Sequence, residues 1–190
     1  STYRRLFKYS SPVIRIFESG LIKKNGLKQP DHSPVFILGL PRSGSTFLYQ
    51  LLTDMFDVLY FDNLTTLGRE NLYFSTWLSQ LLYKNRLHNS FSSMYGNTAE
   101  HGLHAPSEAG MLWYRWIPQD QVLIDEHIIS AKQKADMAQN IRSIINRYSK
   151  PLVIKNLYFA LRIGLIKNIL PEAKFIYIKR DPLYVAQSIY

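Results

Sequence analysis

A glycine-rich loop at residues 39–46 carries the residue types that bind anions. An apolar run at residues 35–38 predicts a strand. Two glycines and two hydroxyl residues follow it before helical spacing resumes: Gly39, Gly44, Ser45 and Thr46. Backbone N–H groups at the start of a helix point outward and bind phosphate or a similar anion. The stretch therefore predicts a phosphate-binding turn between a strand and a helix.

The spacing of this loop matches the ATP- and GTP-binding pattern G-x-x-x-x-G-K-[ST] except at one position. Gly39, Gly44 and Thr46 are in register, but Ser45 replaces the lysine. That lysine neutralises charge during phosphoryl transfer, so its loss argues against ATP or GTP hydrolysis. Arg42 supplies a cation inside the loop instead, and its guanidinium can bind phosphate through two hydrogen bonds.

A second group of anion-binding residues lies near the end of the chain. Residues 174–179 predict a strand, Arg180 follows it, and Pro182 begins a predicted helix that carries Ser188. An arginine at a strand end and a hydroxyl on the next helix can bind one phosphate together. A nucleotide with phosphates at both ends of its ribose would need both groups.

These two motifs resemble those of the sulfotransferases that use 3′-phosphoadenosine 5′-phosphosulfate (PAPS). The similarity is greatest to the branch that contains bacterial sulfotransferases and the tyrosylprotein enzymes. Residues 152–156 resemble that branch's strand ending in a lysine, here Lys155, and residues 170–175 resemble its approach to the second phosphate site. The resemblance covers residues 34–62 and 150–190 well and the middle of the chain poorly.

The resemblance implies a role for each matching residue. The 5′-phosphate would be held by the loop, the 3′-phosphate by Arg180 and Ser188, and the leaving phosphate would be stabilised by Lys155. It implies in-line transfer of a sulfuryl group to a hydroxyl or amine, mainly through positioning and charge stabilisation, with no metal. The loop residues concerned are Arg42, Ser43, Gly44, Ser45 and Thr46.

The general base that activates the acceptor is not determined by these motifs. Related enzymes use a glutamate or a histidine, and the stretch after the second strand has Asp62 but no glutamate. Asp62 is the first candidate, and Glu108, which resembles an acidic position of the bacterial branch, is the second. The remaining candidates are His101, His104 and Glu70.

The order of predicted elements indicates an α/β fold: a P-loop-like parallel sheet flanked by helices in three layers. Strands are expected near residues 35–39, 58–61, 152–155 and 174–179. Helices are expected near residues 44–55, 71–86, 106–115, 131–148 and 158–169, and from Pro182 onward. Ser130 is the predicted N-cap of the helix at 131–148, with a stripe of Ala131, Ala135, Ala138, Ile141, Ile145 and Tyr148.

Residues 1–33 form a basic lead-in and linker before the predicted domain at residues 34–190. Apolar residues recur at helical spacing within residues 1–24, with a break at residues 10–12 where a second helix could begin. Packing onto the domain is the favoured role, and peripheral contact with an anionic membrane is the alternative. Relatives usually continue past the second phosphate motif, so the domain is expected to be incomplete at its C-terminus.

The composition narrows the possible functions further. The 190 residues are 46% apolar and carry a net charge of +9, which suits anionic partners. The chain has no cysteine, which excludes disulfides and thiolate chemistry. Without a membrane span or a clear signal peptide, a cytoplasmic location is expected.

Three alternatives to a sulfotransferase remain open at this point. They are a P-loop nucleotide kinase, a basic module that binds nucleic acid or membranes, and a relative that binds the nucleotide but is inactive. For a sulfotransferase, no nucleic-acid partner is expected. The acceptor could be a small molecule, a glycan, a lipid, a phenol or a peptide, and nothing in the sequence chooses among them.

Overall fold

The computed structural model describes residues 2–84, 86–93, 98–119 and 128–188. Its strands are β1 (Val35–Gly39), β2 (Leu59–Tyr60), β3 (Leu152–Lys155) and β4 (Lys174–Ile178). Its α-helices are α1 (Thr2–Gly26), α2 (Ser45–Met55), α3 (Asn63–Leu67), α4 (Leu72–Tyr83), α5 (Gly110–Trp113), α6 (Ala131–Tyr148), α7 (Ile163–Ile169) and α8 (Pro182–Gln187). Short 3₁₀ turns occupy Arg69–Asn71, Ala99–His101 and Leu157–Leu161.

The four strands form one parallel sheet in the order β2-β3-β1-β4. Strand β1 lies between β3 and β4, with Ile37 opposite Lys155 and Gly39 opposite Ile178. The carboxyl ends of β1, β3 and β4 therefore meet at one edge, which is where α/β sheets bind ligands. The α/β fold class is confirmed.

Helices cover both faces of the sheet because side chains alternate along each strand. On one face, Phe36 and Ile154 pack in a large buried cluster with α6 and α7. On the other face, Ile37 and Val153 pack against Tyr49 of α2. This arrangement of helix, sheet and helix confirms the predicted three layers.

Helix α6 begins and ends as its sequence predicts. The Ser130 hydroxyl accepts from the Gln133 N–H at 3.3 Å, and the Gln133 side chain accepts from the Ser130 N–H at 3.1 Å. This capping box stabilises the first turn. The predicted apolar stripe was wrong at Ala131 and Ala135, which are exposed because the first turn extends beyond the core.

The N-terminal region differs from its prediction. Helix α1 runs through Pro12 without the predicted break. A proline inside a helix removes one N–H donor, but α1 packs along α6, and Asn71 donates to the Ser11 carbonyl at 3.2 Å. Tertiary contacts therefore support one continuous helix that lies against the domain.

Three predicted helices are shorter than expected. Only Gly110–Trp113 is helical within residues 106–115, because residues 103–107 bond to residues 61–64 along the end of β2. Residues 158–169 divide into a 3₁₀ turn and α7, since Asn156 caps the turn and Arg162 has extended φ. Helix α4 ends at Tyr83, before Lys84 with its positive φ of 44°, and residue 85 lies outside the described residues.

Over the described residues, no helix combines the length and apolar character that a bilayer crossing requires. The predicted compartment stays a prediction.

Candidate functional site

The loop between β1 and α2 has the backbone shape of an anion-binding turn. Arg42 and Gly44 both have positive φ, 63° and 92°. Left-handed residues that alternate with right-handed ones are the backbone pattern of a nest, a concavity in which N–H groups can bind an anion. Helix α2 begins directly afterwards at Ser45, so its unpaired N–H groups and positive dipole end face the same concavity.

Two observations indicate that a ligand can approach the backbone of this loop closely. A methyl group at Gly39 would lie 2.7 Å from the Ser43 hydroxyl, so only glycine fits beneath the loop. The Ser43 hydroxyl is buried and has no hydrogen-bond partner within the described part of the chain. At Gly44, a Cβ would meet no heavy atom within 4 Å. The loop thus leaves space and an unsatisfied donor, as a phosphate ligand requires.

Lys155 brings a buried cation to the start of α2. It is the last residue of β3, it is 2% exposed, and its Nζ donates to the Thr46 hydroxyl at 3.1 Å. Its Nζ also forms an ion pair with the Glu108 carboxylate. Burial lowers the pKa of Lys155, and the negative charge of Glu108 partly offsets that effect.

The backbone on either side of Glu108 positions the Glu108 carboxylate beside Lys155. Ser107 donates its N–H to the Phe61 carbonyl at 2.8 Å, which fixes the segment beside the end of β2. The next residue, Ala109, has a left-handed φ of 49°, a conformation that costs a non-glycine residue free energy. Its N–H binds the Ser107 hydroxyl at 3.2 Å. This tight turn directs the Glu108 carboxylate to Lys155.

Asp62 is placed differently from Glu108. It is 1% exposed and caps α3, where its Oδ1 accepts from the Thr65 N–H at 2.8 Å. Its Oδ2 accepts from the Ser79 hydroxyl and lies 3.5 Å from Nδ1 of His104. Both carboxylate oxygens are thus occupied by protein groups, although the assignment of Asp62 as the base stays a prediction.

The structure brings the two predicted phosphate motifs together. Arg180 donates to the Arg42 carbonyl at 2.9 Å, and Arg42 Nε donates to the Ser188 carbonyl at 3.1 Å. The Ser188 hydroxyl donates to the Val185 carbonyl at 2.8 Å. Residues that are far apart in sequence therefore form one cationic rim at the carboxyl edge of the sheet.

The other candidate bases lie in separate surroundings. Glu70 forms an ion pair with Arg15 of α1 at 3.4 Å, and His101 is exposed on a 3₁₀ turn. His104 stacks on Tyr83 with ring centroids 4.3 Å apart. Burial lowers the pKa of His104, but its hydrogen bonds to Asp62 and to the Arg86 carbonyl outweigh burial and raise it.

Sequence reasoning named Lys155 and Glu108 separately but did not predict that they form an ion pair. No local pattern joins residues 47 positions apart. Across residues 2–84, 86–93, 98–119 and 128–188, no group of three or more His, Asp or Glu side chains is arranged to hold a metal ion.

Comparison with known proteins agrees with this geometry. Residues 34–190 match the profile of the sulfotransferase family. The chain belongs to the sulfotransferase family. The match begins just before β1 and includes both phosphate motifs, Lys155 and Glu108. It supports a sulfotransferase over the nucleotide-kinase alternative.

Two curated relatives carry the same name, omega-hydroxy-beta-dihydromenaquinone-9 sulfotransferase, in Mycobacterium bovis and Mycobacterium tuberculosis. Each is 25% identical over 182 aligned residues, which cover 82% of this chain and 44% of the relative. The chain therefore spans less than half the length of these sulfotransferases. No solved structure matches this sulfotransferase significantly.

Proposed function

We propose that the protein transfers a sulfuryl group from PAPS to an acceptor hydroxyl or amine. The observation that carries this proposal is the junction of the two phosphate motifs, in which Arg180 contacts the loop at Arg42 and Arg42 contacts Ser188. A nucleotide with a phosphate on each side of its ribose would contact both motifs at once. An ATP-like nucleotide would leave Arg180 and Ser188 without a ligand.

The loop fits the 5′-phosphate end of such a donor. Among the described residues the buried hydroxyl of Ser43 has no partner, and this hydroxyl and the open space at Gly44 suit a phosphate oxygen. The N–H groups at the start of α2, with the hydroxyls of Ser45 and Thr46, would provide the remaining donors. Arg42 would add a positive charge at the rim.

Lys155 would stabilise the charge that develops during transfer. When bound, the donor supplies the sulfuryl group, which passes to the acceptor. Lys155 would hold its positive charge beside the oxygen that leaves with the nucleotide phosphate, and Thr46 fixes its Nζ. Because Lys155 is buried, this charge acts in a medium of low dielectric constant, where electrostatic stabilisation is strongest.

Glu108 is our preferred general base, ahead of Asp62. A base must accept the acceptor's proton, and the Asp62 carboxylate already accepts hydrogen bonds from Thr65 and Ser79. The Glu108 carboxylate is about one-third exposed, at 29%, and is held beside Lys155. Glu108→Gln should abolish transfer with little loss of nucleotide affinity, whereas Asp62→Asn should act mainly on stability.

The acceptor is a hydroxyl-bearing small molecule, glycan, lipid or peptide in this proposal, and nucleic acid is not an expected partner. The relatives are named as sulfotransferases of omega-hydroxy-beta-dihydromenaquinone-9. A lipid alcohol is therefore the first acceptor to assay, followed by phenols and sugars.

Calorimetric titration with 3′-phosphoadenosine 5′-phosphate tests the donor site. Selective binding is expected, with ATP plus magnesium binding at least ten-fold more weakly. Arg180→Ala should weaken bisphosphate binding by about ten- to a hundred-fold, since it removes a charge-assisted contact. Lys179→Ala, which removes the neighbouring exposed cation, is the matched control. Equal binding of ATP, or equal effects of the two variants, would contradict the proposal.

A further inference from the structure

Helix α1 presents apolar side chains to solvent instead of to the core. Val13, Ile16, Phe17 and Leu21 are 60%, 74%, 75% and 43% exposed. Their spacing of three, four and eight residues puts them on one side of the helix, which we call the α1 apolar face. The opposite side packs on α6 through Ile22 and Gly26. The fold therefore does not require the α1 apolar face for its own core.

The α1 apolar face continues into a groove between α1 and α4. The groove has a volume of about 430 Å³, and most of its lining is apolar or aromatic. Its apolar lining consists of Ile14, Phe17, Leu21, Tyr73, Phe74 and Trp77. Ordinary protein surfaces expose apolar side chains singly, whereas here a contiguous apolar area extends from the helix into the groove. Contiguous areas of this kind are typical of interaction sites.

The charges on helix α1 itself are mostly positive, and its Arg15 is paired with Glu70. Residues 2–26 contain six Lys or Arg residues and one acidic residue, Glu18. Glu18 is buried, and its carboxylate accepts from the Phe74 N–H at 3.1 Å. Burial also raises the pKa of Glu18, which reduces its opposing charge further. Lys23 and Lys24 are exposed on the last turns of α1.

We propose that α1 and the groove beside α4 bind the surface of an anionic lipid bilayer. The helix would lie in the plane of the membrane, with Phe17 and its neighbours among the acyl chains. The exposed Lys23 and Lys24 would then lie at the level of the lipid headgroups. Apolar burial together with attraction to anionic lipid is how interfacial helices bind membranes. This site is separate from the donor site and does not depend on its assignment.

One tryptophan provides a direct signal for this contact. The chain has three tryptophans, and Trp113 and Trp116 are both 2% exposed in the core. Trp77 is only partly buried and lines the groove. Binding to vesicles should therefore shift the emission of Trp77 alone to shorter wavelength, and Trp77→Phe should remove the shift while vesicle binding persists.

The test is flotation and fluorescence with vesicles of phosphatidylcholine, with and without 30% phosphatidylglycerol, about a third anionic lipid. We expect binding to the anionic vesicles that falls at least ten-fold in Phe17→Ser, because a large apolar side chain is no longer buried. Lys23→Glu combined with Lys24→Glu should weaken binding comparably and make it less sensitive to salt. Phe56→Ser is the control, since Phe56 is 58% exposed just after α2, on the other side of the sheet.

Several results would overturn the inference. One is the absence of binding to anionic vesicles, and another is binding that Phe17→Ser leaves unchanged. Equal binding to purely zwitterionic vesicles would contradict the role of the basic residues. Self-association in solution that Phe17→Ser abolishes, without vesicle binding, would assign the α1 apolar face to a second copy of the chain instead. None of these measurements requires nucleotide, so their failure is distinct from failure of the proposed sulfuryl transfer.

Discussion

Lys155 is held by two other side chains at the proposed donor site. A lone buried ammonium would tend to lose its proton, because burial disfavours the charged form. The carboxylate of Glu108 and the hydroxyl of Thr46 satisfy Lys155 and keep it at the carboxyl edge of the sheet. A charged lysine at this point is therefore maintained by two side chains from other elements.

Replacing Lys155 with methionine should reduce catalysis much more than nucleotide binding. We expect Lys155→Met to lower kcat by about a hundred- to a thousand-fold, since it removes charge stabilisation that is needed only in transfer. Stopped-time assays with radiolabelled donor, together with bisphosphate titration, separate the two effects. Lys150→Met, which removes the ion pair of a partly buried lysine with the exposed Asp57, is the control. A loss of nucleotide affinity as large as the loss of kcat would contradict the assigned role.

The pH dependence of kcat should also report on Lys155. Its pKa is lowered by burial, so the alkaline decline in activity should begin below the ordinary lysine value of 10.5. As pH rises through the lowered pKa, Lys155 becomes neutral and its stabilising charge is lost. In Lys155→Arg the guanidinium stays charged, so that decline should disappear even if kcat is lower overall. An unchanged alkaline limb in the arginine variant would assign it to another group.

At the scale of elements, strong local patterns were predicted well. Strand β1 matches its predicted bounds, and α6 has the predicted Ser130 cap. These elements agree with their prediction because local signals and tertiary packing favour the same structure. The loop between β1 and α2 was also predicted from local signals, because its glycines lie where the backbone geometry favours glycine.

Other features depended on contacts that sequence spacing cannot reveal. The helix predicted at residues 106–115 is shortened because its first half bonds to residues 61–64. Likewise, Asp62 follows a strand as a catalytic residue might, but the structure uses both its oxygens for protein contacts. The partners of Asp62 and Glu108 come from distant segments, so only the folded chain distinguishes the two carboxylates.

An ion pair joins the connection between α7 and β4 to helix α6. Arg142 of α6 binds Glu172 through two hydrogen bonds of 2.7 and 2.9 Å, and the Glu172 side chain is 9% exposed. Burial alone would raise the pKa of Glu172, but the bonds from Arg142 outweigh it and lower the pKa. This pair holds the segment that leads to Arg180.

Glu172→Gln should therefore lower the free energy of unfolding by about 1.5–3 kcal/mol at pH 7, the usual range for charged hydrogen bonds. A lowered carboxyl pKa stabilises the fold above the ordinary value of 4.5, and the stabilisation is lost as pH falls through the lowered pKa. The difference between wild type and Glu172→Gln in urea denaturation should accordingly shrink below pH 4.5. Glu100→Gln, at an exposed position, should show no such difference.

At the scale of the whole molecule, the proposed donor site joins distant parts of the chain. The contact between Arg180 and the Arg42 carbonyl spans 138 positions in sequence. A ligand that binds both motifs would therefore connect the first strand to the last helix that the structure describes. Such a ligand stabilises the fold as a unit.

The bisphosphate should raise Tm measurably. At a concentration 100-fold above Kd, it should add about 2.7 kcal/mol, which corresponds to roughly 5–11 °C for a domain of this size. Differential scanning fluorimetry checks this shift. Arg180→Ala should reduce the shift at the same concentration, and Lys179→Ala should not. If the bisphosphate left Tm unchanged, the two motifs would not share this ligand.

The left-handed backbone of Ala109 creates a trade-off between stability and activity in engineered variants of this protein. Alanine in that conformation costs about 1–2 kcal/mol, and glycine would recover this less about 0.8 kcal/mol for the methyl group that it removes from the core. A screen for heat resistance would therefore favour Ala109→Gly modestly. The same change would let the neighbouring Glu108 move away from Lys155. Selection for thermal stability alone would therefore tend to give stable variants with low activity.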